Sequence, residues 1–107
     1  MEAELLEYLV GKKIYSPNRD RDETARRIFA AARAGHEAAR QVSRYIGSPV
    51  KQWDSLPDSE KKRILTQAMM IERHEGVRHL SVSNVRPDTA ARLAVICASL
   101  GYTIPRY

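Results

Sequence analysis

Apolar residues return along this chain at steps of three and four in four separate stretches, the signature of one buried helical face. The first spans residues 2–10, with Leu5, Leu6 and Leu9 on one side and Gly11 placed to supply a left-handed end. The second is the longest, from about Asp22 to Ile46. There Ala25, Ile28, Phe29, Ala32, His36, Ala39, Val42 and Ile46 form one stripe, and Gly47-Ser48-Pro49 ends it. The third begins near Ser55 or Leu56 with Pro57 in its first turn, carries Asp58 and Glu60 at the dipole's positive end, and stops by Gly76. Its apolar side is Ile64, Leu65, Ala68, Met69 and Ile71, and Met69 and Met70 read as packing residues. The fourth opens at Pro87-Asp88-Thr89 and lines up Ala90, Leu93, Ala94, Cys97 and Leu100 before Gly101.

Polar stretches separate these patterns. Lys12 to Arg21 reads as a loop around Ser16-Pro17-Asn18, and Val77 to Val85 is the one stretch with strand-like residues. It is expected to be an extended loop or a short strand. The pattern predicts an all-α domain, a small bundle of about four helices with a long loop between the third and fourth.

Composition adjusts this picture only slightly. At 107 residues the chain suits one domain, residues 1–107, with a single modest core. Five tyrosines, one phenylalanine and one tryptophan are its only aromatics, so aliphatic and alanine packing must dominate. A formal charge of +5 permits an anionic partner without demanding one, because the basic residues are spread rather than gathered in a block. Cys97 stands alone, which precludes an intrachain disulfide and suits the cytoplasm. The first ten residues are acidic where a secretory leader is basic, and no apolar run approaches the ~20 residues a membrane span needs. A cytoplasmic protein without a membrane segment is expected.

The residues offer little to catalysis. His74 and His79 are five apart, off the four-residue step that aligns two metal ligands on a helix, and no nucleophile-elbow, zincin, P-loop or dinucleotide-binding pattern occurs. No enzyme, metal or cofactor is expected. The second helix is more suggestive. Arg26, Arg33, Arg40 and Arg44 follow one another at seven, seven and four residues, beside the apolar stripe. They form either a solvated face partly neutralised by Glu37 or a rack of planar donors suited to phosphate or carboxylate. His36, within the stripe, is either a core histidine bonded to a backbone carbonyl or a ligand contact. Trp53, after the Gly-Ser-Pro turn, is either an anchor for the loop or a stacking platform with Lys51, Arg40 and Arg44 near in sequence. Tyr15 and Tyr102, both outside the helices, extend an aromatic wall on the second alternative; on the first, Tyr102 covers the core.

Several of these residues stand in a familiar order. They are Tyr15-Ser16-Pro17 and Asp22 with Thr24; Ala32, His36, Glu37 and Arg40; Trp53, Leu56, Pro57, Glu60 and Lys61; and Leu100-Gly101-Tyr102-Thr103-Ile104. In this order the chain resembles the ryanodine-receptor repeat, found in tandem in calcium-release channels and singly in bacterial and phage proteins. The chain departs from the repeat in carrying Ala39 where the family commonly has tryptophan, and in lacking its Gly-Trp-x-Tyr-Gly element. The resemblance implies an all-α, non-catalytic ligand-binding module working as a homodimer or higher homo-oligomer. It further implies a nucleotide or cyclic-nucleotide ligand, sensed or sequestered in a phage-defence or anti-defence setting. On that reading Arg33, Arg40, Arg44 and Lys51 hold phosphate, Trp53, Tyr15 or Tyr102 stacks on the base, and His36 orients it. An acidic protein partner is the rival expectation, and general nucleic-acid binding ranks below both.

Overall fold

A computed structural model describes residues 21–47, 49–73 and 85–102, and these are all-helical. They contain helix α1 (Arg21–Tyr45), a 3-10 turn (Trp53–Ser55), helix α2 (Asp58–Arg73) and helix α3 (Pro87–Ser99). Three of the four expected helices are therefore present. The helix expected over residues 2–10, Tyr15, and most of the loop expected between the third and fourth helices lie outside the described residues.

Helix α1 is the spine. Its 25 residues rise about 37 Å at 1.5 Å each, and it packs on both α2 and α3, most extensively on α3. The expected stripe is buried from Ala25 through Ala39, but it gives out at the C-terminal end: Val42 is half-buried and Ile46 is 40% exposed. Ser43 takes over there as a fully buried residue. Its hydroxyl donates to the Arg40 carbonyl at 2.7 Å and accepts the Val50 amide at 3.2 Å. That pair of bonds pins the returning chain against the last turns of α1, after Gly47 has reversed it at a φ of 75°.

The 3-10 turn carries Trp53 into the core, and Pro57 then opens α2 by accepting the Glu60 and Lys61 amides at 3.0 and 3.1 Å. Pro57 thus precedes the helix instead of occupying its first turn. Ile64, Leu65, Ala68 and Ile71 are buried as the spacing predicts, whereas Met70 is half exposed and is not a packing residue. Helix α3 starts at Pro87, with the Ala90 amide bonded to the Arg86 carbonyl. It buries Leu93, Ile96, Cys97 and Leu100; Ile96, which the expected face omitted, is fully buried, and Ala90 and Ala94 are half-buried.

The C-terminus of α3 closes in a Schellman motif. The Tyr102 amide reaches the Cys97 carbonyl at 2.9 Å and the Gly101 amide reaches that of Ala98 at 3.0 Å. Gly101 sits at a φ of 85°, and a Cβ there would meet nothing within 4 Å, so only the backbone resists substitution. Gly101→Ala is expected to lower stability by about 1 kcal/mol, and Gly101→Asn by less, because asparagine tolerates the left-handed region. Equal urea midpoints for the two variants would contradict that account.

The close approach of α1 to α3 falls at Gly35. A Cβ there would lie 2.6 Å from Ile96 Cγ1 and 2.8 Å from the Arg92 carbonyl oxygen. No larger residue fits without moving α3. None of the described helices is long and apolar enough to cross a membrane.

Candidate functional site

The structure brings His36, Lys51 and Trp53 together, but it places the histidine and the indole in the core. His36 is 4% exposed, and its Nε2 donates to the Lys51 carbonyl at 2.7 Å. This is the core-histidine alternative, and it ties the loop to α1. Its Nδ1 is buried and unpartnered among the described residues. Trp53, at 8% exposure, meets Phe29 and His36 edge-on at centroid distances of 5.7 and 6.0 Å, and the buried Lys61 places Nζ 6.0 Å from the ring centroid. The indole is an anchor and offers no open face for a base. Arg40 is half-buried and bonded to both carboxylate oxygens of Glu37, at 3.1 and 3.2 Å. Arg33, Arg44 and Lys51 are exposed, and Arg44 sits in the last turn of α1, where a cation complements the dipole.

Tyr102 belongs to a different assembly. Its hydroxyl donates to Glu72 Oε1 at 2.9 Å, and Glu72 Oε2 pairs with Arg27 Nη1, also at 2.9 Å. Arg27 Nη2 adds a bond of 2.7 Å to the Leu100 carbonyl. The buried Glu72 therefore joins α1, α2 and the segment after α3. Arg27 precedes Arg40 by 13 residues, about 20 Å along the helix, so Tyr102 does not stand beside Arg40, although it packs against the same core cluster as Trp53.

A cavity of about 600 Å³ lies elsewhere, lined by Pro49 and Val50 from the loop, Arg63 and Gln67 from α2, and Arg86, Asp88, Thr89 and Arg92 at the start of α3. Three arginines line one space here. Arg63 Nη2 pairs with Glu60 at 2.7 Å, and Arg86 Nε approaches Asp88 Oδ1 at 3.3 Å, an oxygen that also accepts the Thr89 amide. Arg92 Nε is buried with no partner among the described residues, as is Gln67 Oε1. Burial, and then the like charge of Arg63, push the Arg92 guanidinium below its ordinary pKa; Asp88 and Glu60 act in the opposite sense. A negative group in this space would offset the repulsion between Arg63 and Arg92 and accept hydrogen bonds from their planar donors.

Arg63, Gln67, Arg86 and Arg92 were not singled out from the sequence. The only trace there is local, in the four-residue steps from Arg63 to Gln67 and from Asp88 to Arg92, which put each pair on one helical face. That these two faces meet is a tertiary fact. No family model matches the chain, and no curated protein and no solved structure matches it either. The ryanodine-receptor-repeat resemblance rests on the motifs quoted above.

Proposed function

We propose that this protein is a non-catalytic cytoplasmic module that binds a phosphate-bearing ligand, and that the cavity at Arg63, Arg86 and Arg92 is its site. The observation that carries this reading is that three arginines, Arg63, Arg86 and Arg92, line one cavity. The rack expected along α1 supports it only indirectly, since Arg40 is engaged by Glu37 and His36 and Trp53 serve the core. A nucleotide remains the ligand that the family resemblance implies. Its phosphate suits the cavity, but among the described residues no aromatic side chain lines the space to stack on a base.

Each charged hydrogen bond from arginine to phosphate contributes roughly 1.5–3 kcal/mol, so two or three give dissociation constants from about millimolar to micromolar. Calorimetry and thermal shift should be run with inorganic phosphate, pyrophosphate, and mono- and cyclic nucleotides. At ten times its dissociation constant, a bound phosphate ligand should add about 1.4 kcal/mol of stability. Arg92→Gln should weaken binding about tenfold or more while preserving the helical circular dichroism spectrum. The absence of any response from the whole panel would reject the reading.

A further inference from the structure

Asp88 is the one carboxylate among the described residues that line the cavity, and an anion held by arginines alone has no use for it. Its side chain is only 11% exposed, so solvent screens its charge weakly. One oxygen is occupied: Oδ1 lies 3.3 Å from Arg86 Nε and accepts the Thr89 amide at 2.9 Å. The other, Oδ2, makes no hydrogen bond among the described residues. Asp88 also acts electrostatically on Arg92, so two of the three cavity arginines feel it directly. Glu60, the other carboxylate near this cluster, is engaged by Arg63 at 2.7 Å. A negative group thus stands inside an anion site with an acceptor oxygen to spare.

We infer that Asp88 selects the ligand: the site takes a phosphate group that keeps a proton on one oxygen, as inorganic phosphate or a phosphate monoester, and turns away sulfate and phosphate diesters. This rests on the phosphate-binding reading above and adds the class of ligand. An ionised carboxylate accepts hydrogen bonds and donates none. An anion lodged among Arg63, Arg86 and Arg92 therefore brings Asp88 either a hydroxyl, which donates a short charge-assisted bond, or a bare oxygen, which is repelled. Inorganic phosphate keeps at least one proton at neutral pH. A monoester, with a second pKa of about 6, keeps its proton part of the time. Sulfate and diesters keep none. Attraction to three arginines alone orders phosphate and sulfate the other way, because sulfate carries the larger charge. The two accounts therefore rank anions of one shape oppositely.

The test is calorimetry on the full chain at about pH 6, where a monoester is half protonated, with inorganic phosphate, sulfate, methyl phosphate and dimethyl phosphate. Phosphate and methyl phosphate should bind about tenfold or more tightly than sulfate and dimethyl phosphate, the margin of one charge-assisted hydrogen bond. Asp88→Asn keeps an oxygen for the Thr89 amide and replaces the spare acceptor with an N–H donor. It should raise sulfate affinity about tenfold or more and change phosphate affinity by less than about threefold, so the preference collapses. Urea midpoints establish that the variant is folded, and the wild-type ranking tests the inference without it. Sulfate binding the wild type as tightly as phosphate does, or an equal gain for both anions in the variant, overturns selection by Asp88 and leaves the phosphate site standing. Methyl phosphate binding no better than dimethyl phosphate overturns the monoester and leaves the free anion. If none of the four binds, the phosphate-binding reading itself falls.

Discussion

Replacing Arg27 with methionine should lower the stability of this protein by about 3 kcal/mol, the loss expected when one member of a mostly buried ion pair is removed. Glu72 is the reason. Its side chain is only 5% exposed, and its carboxylate accepts from Arg27 on one oxygen and from Tyr102 on the other. Methionine retains much of the packing of the arginine stem but leaves a charge in the interior with one neutral donor. It also frees the Leu100 carbonyl, which Arg27 Nη2 caps at 2.7 Å. Chemical denaturation measures the loss directly. The double variant Arg27→Met/Glu72→Gln should recover most of it, because the glutamine removes the buried charge while keeping an oxygen for Tyr102. If the double variant is no more stable than the single one, the damage comes from lost packing and not from an uncompensated carboxylate.

The second large effect runs against helix propensity. Glycine inside a helix is less favourable than alanine by about 1 kcal/mol, so Gly35→Ala would stabilise an isolated α1. In the folded protein the sign reverses. Ile96 Cγ1 belongs to a side chain with some freedom, but the Arg92 oxygen at 2.8 Å is backbone and cannot yield unless α3 moves as a body. Overpacking costs typically 1–3 kcal/mol, and a clash with backbone belongs in the upper half of that range, about 2–3 kcal/mol, which exceeds the propensity gain. A net loss of about 1–2 kcal/mol is expected in urea unfolding, and a variant as stable as the wild type would show that α1 and α3 separate easily. The displaced α3 carries Arg92, so the same variant should weaken the proposed phosphate binding, a coupling that calorimetry on the folded variant checks.

The two predictions mark where sequence reading succeeds and fails. The period of the apolar residues placed α1, α2 and α3 within a few residues of their ends, because helix formation and its termination by Gly47 and Gly101 are local events. The same period overran at Ile46, where the partner helices no longer cover the spine, and it missed Ile96, whose burial depends on α1 passing close at Gly35. Residue chemistry was harder. His36 and Trp53 attract attention in the sequence because they are rare types, yet their rarity reflects anchoring of the loop to α1. Arg27 and Glu72 attracted none, although 45 residues of separation close into a 2.9 Å pair.

By itself the sequence determined the helical character of the described segments, the order of the helices, the glycine ends at Gly47 and Gly101 and most of the face each would bury. These follow from backbone hydrogen bonding and from the spacing of apolar side chains over a few turns. The tertiary structure alone decided which polar residues meet. Arg63 and Arg92 are 29 positions apart and belong to different helices, and nothing in either helix's own pattern requires their charged faces to share a cavity. That juxtaposition is fixed by the packing of α2 and α3 around α1. Like charges are held near one another there because the burial of Ile28, Leu65, Ile96 and their neighbours outweighs the repulsion.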